Sequence, residues 1–134
     1  MPGERDLSAL LTHMEPVMAP GRYLFCTLPP GTAVPDEIAP LMTFREAEGE
    51  TLIATAEEAV RAGLNGTFPS RLVTLNVHSS VEAVGFLAVI TRVFGDAGIG
   101  VNPVSGYFHD HLFVPEERAE EALALLRELS GRVL

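Results

Sequence analysis

The sequence predicts an α+β fold built from two related halves, and three observations lead to this class. The second half has the order strand, helix, strand, strand, helix, with a possible terminal strand over residues 132–134. A weaker copy of this order precedes it, and a hydrophobic fraction of 47% indicates a packed core. The βαββα(β) order is typical of ferredoxin-like folds, in which helices cover one face of an antiparallel sheet.

Two segments sixty positions apart indicate the internal repeat. Residues 52–59 and residues 112–119 each close a predicted hairpin and open a predicted helix. The first half lacks a convincing helix between its first two strands, so its copy is degenerate. We therefore predict a degenerate half over residues 1–69 and a better-formed half over residues 70–134.

The first half begins with a short amphipathic helix. Asp6 is placed to cap it, apolar residues recur at helical spacing over residues 7–14, and Pro16 ends it. A strand over residues 22–28 follows, because its β-branched and aromatic residues suit a pleated surface. A loop rich in proline then leads to a hairpin.

That hairpin joins residues 41–47 to residues 51–54 through a short connection containing glycine. Thr55 and Glu58 have the spacing of a capping box, which predicts a helix from there to about Ala62.

The second half begins with a strand over residues 71–77, a polar corner over residues 78–80 and a helix over residues 81–97. Ser79 and Glu82 again have capping-box spacing at the start of that helix. The helix is apolar on two faces: the first stripe is Val84, Leu87, Ala88 and Phe94, and the second is Phe86, Val89, Ile90 and Val93. Two explanations of the second face remain open. The second face contacts another domain or subunit, or the helix is buried inside a single core.

The remaining elements are a strand over residues 101–105, a turn over residues 106–110, a strand over residues 111–114 and a helix over residues 116–129. The buried stripe predicted for this last helix consists of Ala119, Ala122, Leu123, Leu126 and Leu129.

The charge balance argues against several partners. The net charge is −9 and all nine basic residues are arginine, so the chain repels nucleic acid and anionic membrane surfaces. The longest apolar run, residues 83–90, falls short of the ~20 residues of a membrane span, and no secretory signal is visible. Cys26 lies among apolar residues and is expected to be a buried, reduced thiol. We expect a cytoplasmic protein.

The strand-to-helix corner is the candidate binding site. Free N–H groups at the predicted helix start near Val81 favour a carboxylate, and Gly85 allows another group to approach closely. An ammonium would need an acceptor, which Glu82, Asp110 or a carbonyl near Gly106 could supply. The alternative is that Ser79 only caps the helix.

The residues of this corner resemble the ACT domain family of small ligand-sensing modules. Residues 82–88 are followed by Gly98-Ile99-Gly100-Val101, with Val84 where that family commonly has proline and Gly100 where it commonly has asparagine. Residues 78–85 and 106–111 also look like a group of small bacterial proteins made of two ACT-like halves. The resemblance implies a free amino acid or similar metabolite bound at the strand–helix junction, where two ACT domains usually meet. It implies no catalysis.

We therefore expect a small-molecule sensor or regulatory protein, with an amino acid as ligand and a homodimer as the assembly. The alternative is an interaction module that docks a partner on the second apolar face of the helix over residues 81–97. The candidate ligand-binding residues are His78, Ser79, Ser80, Val81, Glu82, Gly85, Asn102, Gly106, Tyr107 and Asp110.

Neither a metal nor a cofactor is expected, and neither is an enzymatic activity. His78, His109 and His111 form the only histidine constellation, and histidines on a surface or at a cap are commoner than a metal site of this spacing. The sequence contains no nucleophile-elbow motif and no phosphate loop. His78 and Ser79 are expected to point to opposite faces, which is a poor arrangement for a nucleophile and its base.

Overall fold

The computed structural model describes residues 3–80 and 82–132, with Arg132 described by its backbone alone. These residues form two units, a larger one (Met1–Pro20 with Arg71–Leu134) and a smaller one (Gly21–Ser70). The boundary that the sequence predicts between residues 69 and 70 separates two repeated halves and not these two units. It stays a prediction. In chain order the elements are α1 (Leu7–His13), β1 (Pro16–Met18), β2 (Tyr23–Leu28), β3 (Met42–Arg45), β4 (Glu50–Thr55), α2 (Ala56–Arg61), β5 (Thr67–Leu75), α3 (Phe86–Ala97), β6 (Asn102–Ser105), β7 (Asp110–Pro115), a 3₁₀ turn (Glu116–Arg118) and α4 (Ala119–Arg132).

The smaller unit has the strand order β3-β4-β2, with the first four residues of β5 (67–70) beside β2, and the pairs β3–β4, β4–β2 and β2–β5 are antiparallel. The predicted hairpin and the helix after it are confirmed. Thr55 Oγ1 accepts a 3.2 Å hydrogen bond from the N–H of Glu58, as the capping-box spacing predicts. Cys26 is buried in this unit's core, and burial raises the pKa of its thiol.

The larger unit contains the predicted order β5, α3, β6, β7, α4. Its strands lie in the order β5-β7-β6, and β1 pairs antiparallel with β5. β1 thus occupies the position that the fourth strand takes in a ferredoxin-like sheet. The prediction of a terminal strand over residues 132–134 is wrong for Arg132, because this residue ends α4. Residues 133 and 134 lie outside the described residues.

The core of the larger unit is formed by α1, α3 and α4 against the strands. Asp6 caps α1 as predicted, since its carboxylate accepts hydrogen bonds from the N–H groups of Ser8 at 2.9 Å and Ala9 at 3.3 Å. The predicted stripe of α4 is confirmed, because all five of its residues are buried. Of the helices in the described ranges, none is both long and apolar enough to cross a membrane.

The segment around α3 differs from the sequence-based prediction. The strand before it is β5, which begins at Thr67 and ends at Leu75, so it both begins and ends earlier than the strand predicted over residues 71–77. The helix begins at Phe86 and not near residue 81, with Gly85 at its N-cap. The predicted Ser79 capping box is therefore wrong.

The buried stripe of α3 is Phe86, Ile90 and Phe94, which are at most 3% exposed. Val84, which the sequence pattern places in the first apolar stripe, is 82% exposed because it precedes the helix. Of the second apolar face, Phe86 and Ile90 belong to this buried stripe, while Val89 and Val93 are partly buried against the same core. The larger unit itself therefore covers part of the face that a docking partner would use.

Candidate functional site

A pocket of about 190 Å³ lies in the larger unit, between the β5–α3 connection with the first turn of α3 and the β6–β7 hairpin. This volume is below the ~300–1,000 Å³ typical of sites for drug-sized ligands, so the pocket suits a small metabolite. Its lining residues are Ser79, Ser80, Ala83, Gly85, Phe86, Leu87, Ala88, Ser105, Gly106 and Asp110.

Asp110 provides the acidic group of this pocket and is only 8% exposed. Its Oδ1 accepts a 2.6 Å hydrogen bond from the hydroxyl of Ser105, and its Oδ2 accepts one of 3.2 Å from the hydroxyl of Ser79. Each carboxylate oxygen has two lone pairs, so each keeps a free acceptor position. Because neutral hydroxyls compensate a buried negative charge only in part, a cation in the pocket would be favoured.

The start of α3 contributes hydrogen-bond donors to the same pocket. Gly85 has a left-handed φ of 89°, and no side chain caps the helix. The first intrahelical bond runs from the N–H of Val89 to the carbonyl of Gly85, at 3.1 Å. The N–H groups of Phe86, Leu87 and Ala88 therefore lack intrahelical acceptors, and the helix dipole adds positive potential near them. An anionic group is favoured at this end of the pocket.

The loop that contains Ser79 and Ser80 is held in place by Gly3 and Glu4, near the N-terminus. The sequence analysis did not predict this contact. The N–H of Glu4 donates to the carbonyl of His78 at 2.7 Å, and the N–H of Ser80 donates to the carbonyl of Glu4 at 2.9 Å. A Cβ on Gly3 would lie 2.6–2.7 Å from backbone atoms of residues 78–80. This close backbone pairing fixes one wall of the pocket.

Five of the ten predicted site residues line the pocket, namely Ser79, Ser80, Gly85, Gly106 and Asp110. Four others, His78, Glu82, Asn102 and Tyr107, are not among the lining residues. Val81 lies outside the described residues.

Those four residues make other contacts or belong to other elements. The ring of His78 packs against Phe108, with 5.3 Å between ring centroids, and Tyr107 is 65% exposed beside it. The backbone N–H of Glu82 donates to Ser80 Oγ at 3.0 Å. Asn102 lies at the far end of β6 from the hairpin turn.

The lining residues that the sequence analysis missed are Ala83, Phe86, Leu87, Ala88 and Ser105. Ser105 had a detectable signal, because it ends a predicted strand directly before the predicted turn that contains Gly106 and Asp110. The residues of α3 were missed because the start of the helix was placed too early.

Two of the three histidines make hydrogen bonds within the larger unit. His109 Nδ1 lies 3.0 Å from the carbonyl of Val77, and His111 Nδ1 lies 2.9 Å from Thr74 Oγ1. Burial lowers the pKa of His111, and the neighbouring His109 lowers it further, while the charge of Asp110 opposes the change. Within residues 3–80 and 82–132, no group of three side chains is arranged to hold a metal ion.

The fold and the site together define a small ferredoxin-like domain with a pocket between the end of its first strand and the start of its first helix. The chain belongs to the ACT domain family, since family models described as ACT domain match residues 2–71 and residues 67–128. Membership of this family indicates a ligand-binding regulatory role, which is consistent with a protein that is not an enzyme.

Solved structures share this fold. A protein from Vibrio cholerae, described as being of unknown function and a possible transport protein, is 43% identical with a TM-score of 0.82, covering 92% of this chain and 95% of that chain. A protein from Agrobacterium tumefaciens is 16% identical with a TM-score of 0.73, covering 87% and 89%. The ligand-free regulatory subunit of aspartate kinase from Thermus thermophilus is 12% identical with a TM-score of 0.58, covering 85% and 95%. No curated protein matches the sequence.

Proposed function

We propose that the protein is a regulatory sensor that binds a free amino acid in the pocket of the larger unit. The observation that carries this proposal is that one small pocket is lined both by the buried carboxylate of Asp110 and by the uncapped first turn of α3. These two features complement the ammonium and the carboxylate of a zwitterion.

The ligand carboxylate accepts hydrogen bonds from the free N–H groups at the start of α3, where the helix dipole favours negative charge. The ligand ammonium donates to the free lone pairs of Asp110, while Ser79 and Ser105 hold that carboxylate in place. The apolar lining residues Ala83 and Leu87 suit an aliphatic side chain of modest size. No bond is made or broken, and the protein acts as a binder.

Family membership and the acidic composition support two further parts of the proposal. ACT domains commonly pair, and we expect a homodimer in the cytoplasm. A net charge of −9 and a buried thiol at Cys26 are consistent with that location.

A thermal-shift screen tests the proposal, with each common amino acid added separately at millimolar concentration. We expect at least one of them to raise the melting temperature of the wild-type protein, because binding to the native state stabilises it. Asp110→Asn keeps the shape of the side chain but removes its charge, so the shift in melting temperature should become much smaller.

Asp96→Asn, on the exposed part of α3, is the matched control and should respond as the wild type does. If no amino acid raises the melting temperature of the wild type, or if Asp110→Asn responds as the wild type does, the proposal is wrong.

A further inference from the structure

The smaller unit contains a cavity of about 380 Å³ whose walls come from the same parts of the fold as those of the first pocket. Residues 30–33, which follow β2, form one wall, and the β3–β4 hairpin forms the other. In the smaller unit β2 neighbours β4, the second strand of this hairpin, just as β5 neighbours β7 in the larger unit. The two cavities are therefore topologically equivalent.

The two hairpins correspond residue by residue at a spacing of sixty positions. Ser105 pairs with Asp110 across one hairpin, and Arg45 pairs with Glu50 across the other. All four residues line the cavity of their own unit. Glu50 is thus the equivalent of Asp110, and both cavities keep an acid at this position.

The turns of the two hairpins also match. The N–H of Gly106 donates to the carbonyl of His109 at 2.9 Å, and the N–H of Glu46 donates to the carbonyl of Gly49 at the same distance. The correspondence therefore includes the backbone that positions the paired residues.

The cavities differ in the source of positive charge. The smaller unit has no helix between β2 and β3, so no helix start faces its cavity. Arg45 stands where the first pocket has Ser105, and its guanidinium can bind a carboxylate through two parallel hydrogen bonds. A guanidinium thus replaces the helix start as the anion-binding group.

Arg45 and Glu50 are both available to a ligand. They face each other across the hairpin as Cα partners, yet within the described ranges neither side chain forms a hydrogen bond or an ion pair. Glu46, by contrast, already accepts a hydrogen bond from the hydroxyl of Thr51. An unpaired cation and an unpaired anion in one cavity suit a ligand that carries both charges.

We propose that the smaller unit holds a second amino-acid site, in which Arg45 binds the carboxylate and Glu50 binds the ammonium. This proposal rests on the proposed function for the class of ligand, but it concerns different residues in a different cavity. The second cavity is larger and more open, so we expect weaker binding there.

Nuclear magnetic resonance of the ¹⁵N-labelled full chain tests the two sites separately. The common amino acids are added one at a time at millimolar concentration, and the amide signals of Gly31 and Gly49 report on the second cavity. Those of Gly85 and Gly106 report on the first. We expect at least one amino acid to shift Gly31 and Gly49 in a saturable manner, also in the Asp110→Asn variant.

Arg45→Gln should raise the Kd obtained from the shifts of Gly31 and Gly49 by about tenfold or more, because it removes a charge-assisted pair of hydrogen bonds. Glu50→Gln should also weaken it, whereas Glu48→Gln in the same turn and Arg61→Gln on α2 should leave it unchanged. The second site is excluded if no amino acid shifts Gly31 and Gly49 in the wild type. It is equally excluded if Arg45→Gln and Glu50→Gln respond as the wild type does. If no amino acid shifts the amide signals of Gly85 and Gly106, only the first site is refuted.

Discussion

The hydroxyl of Ser105 donates a 2.6 Å hydrogen bond to the buried carboxylate of Asp110, and the two residues are Cα partners at the turn end of the β6–β7 hairpin. Strand pairing therefore places the donor opposite the acceptor before any ligand arrives. A local feature of the backbone thus positions this carboxylate.

Replacing Ser105 by alanine should lower the free energy of unfolding by about 1–3 kcal/mol, because a buried charged acceptor loses a donor. Equilibrium urea denaturation measures this change. Ser105→Thr keeps the hydroxyl and should lose much less. Equal losses in the two variants would show that the hydrogen bond contributes little.

The two glycines that flank and interrupt α3 should respond to alanine in opposite ways. Gly85 has a φ of 89°, so Gly85→Ala should cost about 1–2 kcal/mol through backbone strain, although the nearest heavy atom to an added Cβ is 3.7 Å away. Gly95 is helical, and an added Cβ meets nothing within 4 Å. Gly95→Ala should therefore stabilise the protein by up to about 1 kcal/mol. Thermal unfolding of both variants checks the difference in sign.

The histidine beside the pocket predicts a dependence of stability on pH. Burial lowers the pKa of His111 in the folded protein, with His109 adding to the effect and Asp110 opposing it. Between that lowered pKa and the ordinary value of about 6.5, the unfolded chain binds more protons than the folded one. The contribution of His111 is therefore fully present above about pH 6.5 and is lost as the pH falls through the lowered value.

Urea denaturation at a series of pH values, comparing the wild type with His111→Gln, measures this contribution. The decline in stability toward acid should be smaller in the variant. His13→Gln, at the exposed end of α1, should keep the wild-type decline. A decline in His111→Gln as steep as that of the wild type would contradict the prediction.

The first helix of the chain should be essential to the larger unit. Leu10 is 0% exposed in that unit's core, so Leu10→Ala should lower the free energy of unfolding by about 2–5 kcal/mol. Leu41→Ala, at a position that is 52% exposed, should change it by less than about 0.5 kcal/mol. Similar losses from the two substitutions would show that α1 contributes little to the core.

The features that the sequence predicted well depend on neighbouring residues. The cap of α1 at Asp6, the capping box at Thr55 and the stripe of α4 are each fixed within a few positions. The start of α3 was misplaced because Ser79 has capping-box spacing, whereas the helix begins seven residues later with Gly85 at its N-cap, and the hydroxyl of Ser79 donates to Asp110. A local pattern cannot reveal that Ser79 contacts a residue so distant in the sequence.

The same reason explains the missed strand β1. Three residues beginning with proline carry no strand signal, and their conformation is set by pairing with the end of β5, from Pro16 opposite Leu75 to Met18 opposite Val73. For the candidate site, the sequence named Asp110 as one of three possible acceptors, and it placed the site at the corner that lines the pocket. It missed Ser105 and the first residues of α3, because which residues line a pocket depends on how distant segments pack.

The position of β1 and α1 in the larger unit has a consequence for biosynthesis. Residues 3–20 leave the ribosome before the segment from Arg71 onward, yet they pack in one unit with it. The buried side chains of α1 must therefore wait, while residues 21–70 can already pair their own strands. During that interval Leu10 and Leu11 have no core to pack against, and they become buried only when the segment from Arg71 onward has been synthesised.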